Sequence, residues 1–115
     1  MSPDNFRRLA LALPEAVENA HMGTPDFRVR GKIFATLSSG AHPRCGVKFM
    51  LEQQEMFMQV DPAAFEPVKG GWGRKGWTNI LLASAQPPIV SDALELAWRN
   101  VAPKKLAATQ SPNID

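Results

Sequence analysis

One cysteine in 115 residues cannot close an intramolecular disulfide, so Cys45 leaves stability to the core and fits a reducing compartment, the cytoplasm. Long apolar runs are missing as well. Nothing approaches the roughly 20 apolar residues of a membrane span, and no basic start leads into an apolar stretch, so the chain reads as soluble and unexported. A strong net charge is also absent. Thirteen Lys and Arg against eleven Asp and Glu give +2, far short of the field that identifies a nucleic-acid binder by itself. No internal repeat or low-complexity segment divides the chain. What is present is an apolar fraction of 44%, enough for one compact core in a chain too short for two ordinary domains. The expected domain spans residues 1–108, with 109–115 as a tail.

The residues that carry chemistry are few and scattered. His42 lies three positions before Cys45, but zinc needs three or four ligands and no second close His or Cys pair exists, so no metal site is expected. A thiol nucleophile assisted by His21 or His42 would need those groups within hydrogen-bond reach; the plainer reading makes Cys45 a small buried residue in an alternating strand and His21 a local hydrogen-bonding group. The acids Glu15 with Glu18, Glu52 with Glu55 and Asp92 with Glu95 form no acid/base pair beyond what helix-start electrostatics explain for Asp92. No catalytic residue and no cofactor is implied.

The hydrophobic period predicts helices at the two ends and strands between them. Ser2-Pro3-Asp4 combines a side-chain cap, a proline at the first helical position and an acid facing the positive helix end. Phe6, Leu9, Ala10 and Leu13 then make one apolar stripe, ended by Pro14. Leu94, Ala97, Trp98 and Val101 repeat that stripe after Ser91-Asp92 as cap and first-turn acid, with Pro87-Pro88 expected to force a loop before them. Pro103 stops that helix and leaves Lys104 to Leu106 as a short final turn. Between the helices the period is two. Phe27 and Val29 alternate with Arg28 and Arg30, Gly31-Lys32 is the expected hairpin loop, and residues 33–37 return as a second strand with Val29 paired to Phe34. Residues 38–44 read as a loop, and Cys45, Val47 and Phe49 alternate with Gly46, Lys48 and Met50 in a third strand. Residues 52–59 read as a short helix, 17–22 as an additional strand and 77–83 as the last one. The sum is an α+β domain: an antiparallel sheet of four to six strands with the N- and C-terminal helices on one face.

Charge is distributed unevenly along this frame. From Phe27 to Leu51 there are five cations (Arg28, Arg30, Lys32, Arg44, Lys48) and no acid, and from Pro67 to Ser91 three more (Lys69, Arg74, Lys75), again with no acid. The second run contains Gly-Gly-Trp-Gly-Arg-Lys-Gly-Trp, residues 70–77. One reading has the glycines bringing backbone close to a phosphate chain, Arg74 and Lys75 supplying charge and Trp72 stacking on a base. The other is a glycine-rich turn with solvated cations, Trp77 in the core and Trp72 the more exposed ring. Likewise Arg28, Arg30 and Lys32 form either a basic ribbon that enters a DNA groove or the ordinary wet face of a strand.

The residues His21-Met-Gly-Thr-Pro-Asp-Phe27, Val29-Arg-Gly-Lys-Ile-Phe-Ala35, Gly73-Arg-Lys-Gly-Trp-Thr78 and Ala97-Trp-Arg-Asn-Val-Ala-Pro-Lys104, in that order and spacing, resemble the MmcQ/YjbR-like proteins. The resemblance runs from about Leu13 to Leu106. It implies a small cytoplasmic protein of CyaY-like fold with a double-wing DNA-binding role, and it transfers no catalytic residue. The Gly31-Lys32 hairpin and the Gly70 to Trp77 segment become the two wings. The expected function is therefore nonenzymatic DNA binding through Arg28, Arg30, Lys32, Lys48, Lys69, Arg74 and Lys75, with Trp72 stacking. The alternative is a small-ligand or protein-partner module with an apolar pocket between sheet and helices, lined by Met50, Met56, Phe57 and Trp72.

Overall fold

The computed structural model describes residues 1–38 and 41–109; all of the expected 109–115 tail but Thr109, and part of the 38–44 loop, lie outside them. Ser2 caps α1 (Pro3–Leu11) by accepting a hydrogen bond from the Asn5 backbone N–H at 3.1 Å, as the proline at its first position and the adjacent acid anticipate. Then come β1 (Ala16–His21), β2 (Thr24–Val29), β3 (Lys32–Ser38), β4 (Arg44–Lys48), α2 (Leu51–Val60), β5 (Phe65–Pro67), α3 (Gly71–Arg74), β6 (Trp77–Leu81), a single 3-10 turn, α4 (Pro87–Val101) and α5 (Lys104–Thr109). The strands form one antiparallel sheet in the order β1-β2-β3-β4-β6-β5.

Residues paired across an antiparallel ladder share a face, and one face of this sheet is apolar. Phe27, Ala35, Leu37, Cys45, Val47, Ile80 and Phe65 are all buried there. Helix α4 covers them with Val90, Ala93, Leu94, Ala97, Trp98 and Val101, spaced at three and four residues. Phe6 of α1 meets Phe27 edge-on at 5.9 Å between ring centroids, and the Trp98 indole donates to the Pro14 carbonyl at 3.0 Å. Phe57 of α2 extends the same core, stacked on Phe49 at 4.9 Å and tilted on Phe65 at 5.1 Å. The α+β architecture with both terminal helices on one face is thus the observed one.

Three local expectations need correction. The β2–β3 hairpin turns on Arg30-Gly31, both with positive φ (52° and 82°), rather than on Gly31-Lys32. A turn of this hand requires positive φ at both central residues, and it matches the twist of the strands. Val29 therefore pairs with Lys32, and a bulge opposite Phe27 and Arg28 lets Phe34 and Ala35 both point into the core. Second, α4 begins at Pro87, four residues before Ser91: the two prolines occupy its first turn, where a missing N–H costs no intrahelical bond. Third, the 70–77 segment is more than a glycine-rich turn. It contains the four-residue helix α3, preceded by the short strand β5, neither of which the apolar pattern signals.

Two glycines explain how α3 fits. A Cβ on Gly73 would lie 1.8 Å from the Val68 carbonyl oxygen, and one on Gly76, at φ 110°, would lie 1.9 Å from that of Phe49. These glycines admit the protein's own backbone. The buried Gln54 amide completes the seam, with its nitrogen 3.1 Å from the Gly73 carbonyl, 3.2 Å from that of Trp77 and 3.1 Å from Thr78 Oγ1, while the Thr78 hydroxyl donates to the Gly76 carbonyl at 2.8 Å. Gly71 has open space around it. Gly73→Ala is expected to cost about 1–3 kcal/mol in urea unfolding, whereas Gly71→Ala stays within about 0.5 kcal/mol of the parent; equal effects would overturn this account.

Candidate functional site

The face of the sheet away from the helices is built from the alternate residues of the same strands. Its central row crosses all six of them: Asn19, Asp26, Thr36, Gly46, Asn79 and Glu66 are successive cross-strand partners. On one side of that row lie Arg28 with Ile33, and Lys48 with Trp77; on the other lie His21 with Thr24, and Arg44 with Leu81. The Val68 N–H continues the β5–β6 ladder by donating to the Trp77 carbonyl at 3.0 Å, and Val68 and Trp72 of the connecting segment stand at this face. The result is a concavity of about 350 Å³ lined by His21, Ile33, Thr36, Gly46, Val68, Trp72, Trp77 and Asn79.

Gly46 shapes the floor of this concavity. A Cβ there would stand 2.6 Å from Thr36 Oγ1 and 3.8 Å from the Trp77 ring, so the glycine leaves room for that hydroxyl, which accepts the Gly46 N–H at 3.2 Å. Trp72 is 63% exposed, with the Lys75 ammonium 5.5 Å from its ring centroid, a favourable cation–π arrangement. Trp77 sits on the open face and is half-buried. Its expected place in the core is filled by its neighbours Thr78 and Ile80, because β6 alternates from the opposite phase. Trp72 is the more exposed ring, as anticipated.

The charged groups divide into two classes. Asp26, fully buried, accepts from Arg28 Nε at 2.8 Å and from an Arg28 terminal nitrogen at 3.0 Å, and its Oδ2 lies 2.8 Å from His21 Nδ1. The hydrogen bonds from Arg28, opposed by burial and helped by His21, hold its carboxyl below the ordinary carboxylate range. An ionised carboxylate only accepts, so Nδ1 carries the proton and His21 Nε2 is left without a protein partner among the described residues. Arg30 makes a two-point contact with Glu15, whose carboxyl is likewise held low by it. Arg28 and Arg30 are thus already neutralised by carboxylates. Lys32, Lys48, Lys69, Arg74 and Lys75, and also Arg44, have no carboxylate partner among the described residues.

These free cations do not all share one surface. Register puts Arg44 and Lys48 on the open face, two residues to either side of Gly46, and Lys75 beside Trp72. Lys32 lies at the β2–β3 turn, and Arg74 lines a shallower depression with Leu51, Gln54 and Pro67. The space between sheet and helices is filled: Phe57 is part of the core, and Met50 and Met56 are half-exposed outside it. Cys45 faces the core with its thiol pushed far up by burial, while His42 is exposed. Among the described residues no group of three or more His, Cys, Asp or Glu could hold a metal, and no helix is long and apolar enough to cross a membrane. Thr36, Gly46 and Asn79 escaped the sequence reading; the alternation of β4 was the available signal, because it already set Gly46 and Lys48 opposite Cys45 and Val47.

The model of the YjbR family matches residues 11–100. The chain belongs to the YjbR family. A solved structure, the Deinococcus radiodurans protein DR2400 with the family-model domain DUF419, superposes with a TM-score of 0.75 at 20% identity, covering 90% of this chain and 83% of that one. That likeness establishes the shared fold. No curated protein matches the chain.

The Asp26 network sets a pH dependence. A carboxyl whose folded-state pKa is depressed contributes stability that is fully present above its unfolded value, about 3.9, and is lost as pH falls through the folded value. Asp26→Asn is expected to cost on the order of 1 kcal/mol at pH 7, with the deficit shrinking below about pH 4. Urea unfolding of both proteins from pH 7 to pH 3 measures this, and a deficit independent of pH would refute it.

Proposed function

We propose that this YjbR-family protein is a nonenzymatic binding module whose open sheet face receives a small planar ligand. The observation that carries this reading is the concavity over Gly46, walled by Trp72, Trp77, Ile33 and Val68, with hydrogen-bonding groups at Thr36, Asn79 and His21. About 350 Å³ lies within the range of ligand sites, and an apolar wall carrying a few polar groups is their usual composition. Neither the Asn79 amide nor His21 Nε2 has a protein partner among the described residues, so both are free to orient a ligand. The ligand reading moves the apolar pocket from the helix side of the sheet to the open side.

DNA binding is the second reading, favoured by the unpaired Lys48 and Lys75 close to the two tryptophans, with Lys69 three residues before Trp72 in the chain, a combination suited to phosphate contact and base stacking. In this form it draws less on Arg28 and Arg30, which their carboxylates hold. Lys32 and Arg74 would contribute from outside the concavity.

A thermal-shift screen of planar metabolites, repeated on Trp72→Ala, tests the first reading. Trp72 is 63% exposed, so its truncation is expected to leave Tm nearly unchanged while weakening a screened ligand about tenfold or more, roughly 1.4 kcal/mol. Absence of any stabilising compound, or hits indifferent to Trp72, would refute it. Fluorescence anisotropy with single- and double-stranded DNA across a salt series tests the second. There, neutralising Lys48, Lys69 and Lys75 together should flatten the salt slope by about one unit for each lost phosphate contact; an unchanged slope counts against DNA contact by these residues.

A further inference from the structure

The charge pattern around the concavity points to the chemistry of its occupant. None of the lining residues is acidic. The acids nearest to it on the open face are Asp26, whose charge Arg28 and His21 already answer, and Glu66, set across from Asn79 on the edge strand β5. Against these stand three cations without carboxylate partners among the described residues. Lys48 is the cross-strand neighbour of Trp77, Lys75 lies 5.5 Å from the Trp72 ring centroid, and Arg44 is on the far side of Gly46. Lys48 and Lys75 are not themselves lining residues, but each adjoins one of the two tryptophans that wall the concavity. Cross-strand neighbours on one face lie about 5 Å apart at Cβ, within reach of a long side chain, so the Lys48 ammonium and the Trp77 ring can address the same molecule.

We propose that the concavity is selective for a small planar organic anion whose flat body packs on Trp72, Trp77, Ile33 and Val68 and whose carboxylate or phosphate group is met by Lys48 and Lys75. This rests on the open-face binding reading and adds the sign of the ligand's charge and the end of the pocket where that charge lies. A neutral flat molecule would fill the same apolar walls but leave the two ammonium groups to water. A cation would face Lys48, Lys75 and Arg44, offset by Glu66 across from Asn79 on the edge strand. The free small-molecule anion is favoured over a nucleotide in a polymer because the cations that would track a continuous backbone are dispersed, with Arg74 in a separate depression and Lys32 at a hairpin turn.

Isosteric aryl probes supply the test. Titrations of the full chain, followed by intrinsic tryptophan fluorescence and calorimetry, compare 1-naphthoate, 1-naphthyl phosphate, neutral 1-naphthylmethanol and cationic 1-naphthylmethylamine, with a thymidine oligonucleotide as a further arm. The expected order is the two anions tightest, the alcohol weaker and the amine weakest. In Lys48→Gln and Lys75→Gln the anions weaken by about two- to fivefold for each lysine, while the alcohol keeps its affinity. The alcohol serves as the internal control for an intact pocket, together with an unchanged Tm. Equal affinities of anion and alcohol, or an anion preference that survives the double variant, would overturn the charge inference and leave the binding reading standing. Failure of every aryl probe to bind, with or without oligonucleotide binding, would overturn both.

Discussion

Covering only one face of the sheet is the constraint from which the rest of this structure follows. A pleated strand presents its side chains alternately to two sides, and the terminal helices, joined through Phe6 to Phe27 and through Trp98 to the Pro14 carbonyl, can cover one of them. Phe27, Leu37, Val47 and Ile80 are committed to the core. The alternate residues are delivered to the opposite side, which the helices leave open, and the bulge in β3 turns Phe34 inward and Ile33 outward. The row from Asn19 to Glu66, with Gly46 and Asn79 at its centre, exists because its members are one residue removed from core positions.

The second determinant is how the chain between β5 and β6 is held at that open face. Its glycines look like the flexible approach to an anion, yet Gly73 and Gly76 are fixed by contact with the carbonyls of Val68 and Phe49. Gln54 reaches from α2 to bind this segment with its buried amide, and a buried polar group with satisfied partners specifies one arrangement among many compact ones. Trp72 is consequently presented by a short rigid element. An exposed aromatic ring supported in this way loses little further conformational entropy when it stacks on a ligand.

Electrostatics separates cations that look equivalent along the chain. Arg28 and Arg30 are neighbours in a basic run, but Asp26 lies on the same strand as Arg28, and Glu15, fifteen residues away, is brought against Arg30 by the β1–β2 hairpin. Guanidinium forks suit such two-point carboxylate contacts, whereas lysine does not match them. The cations left available are the lysines with Arg44 and Arg74, and those on the open face cluster by register around Gly46 and the tryptophans.

Local pattern sufficed for most of the elements. The apolar stripes of α1 and α4, the Ser2 cap, the alternation of β2 and β4 and the short α2 helix depend on residues within a few positions of one another, and so did the expectation of an α+β domain with the terminal helices on one side. The Arg30-Gly31 turn and the bulge at Phe34 were shifted because neighbouring hydrophobic residues fit more than one phase until strand partners select one, and α4 starts at Pro87 because a first helical turn tolerates proline. Asp26 stands two residues before Arg28, so that pairing lay within local reach. The concavity, the neutralisation of Arg30 and the packing role of Gly73 and Gly76 had no local signal. Each depends on contacts between segments distant in sequence, and only the tertiary structure decides which distant carbonyl, carboxylate or ring a given side chain will meet.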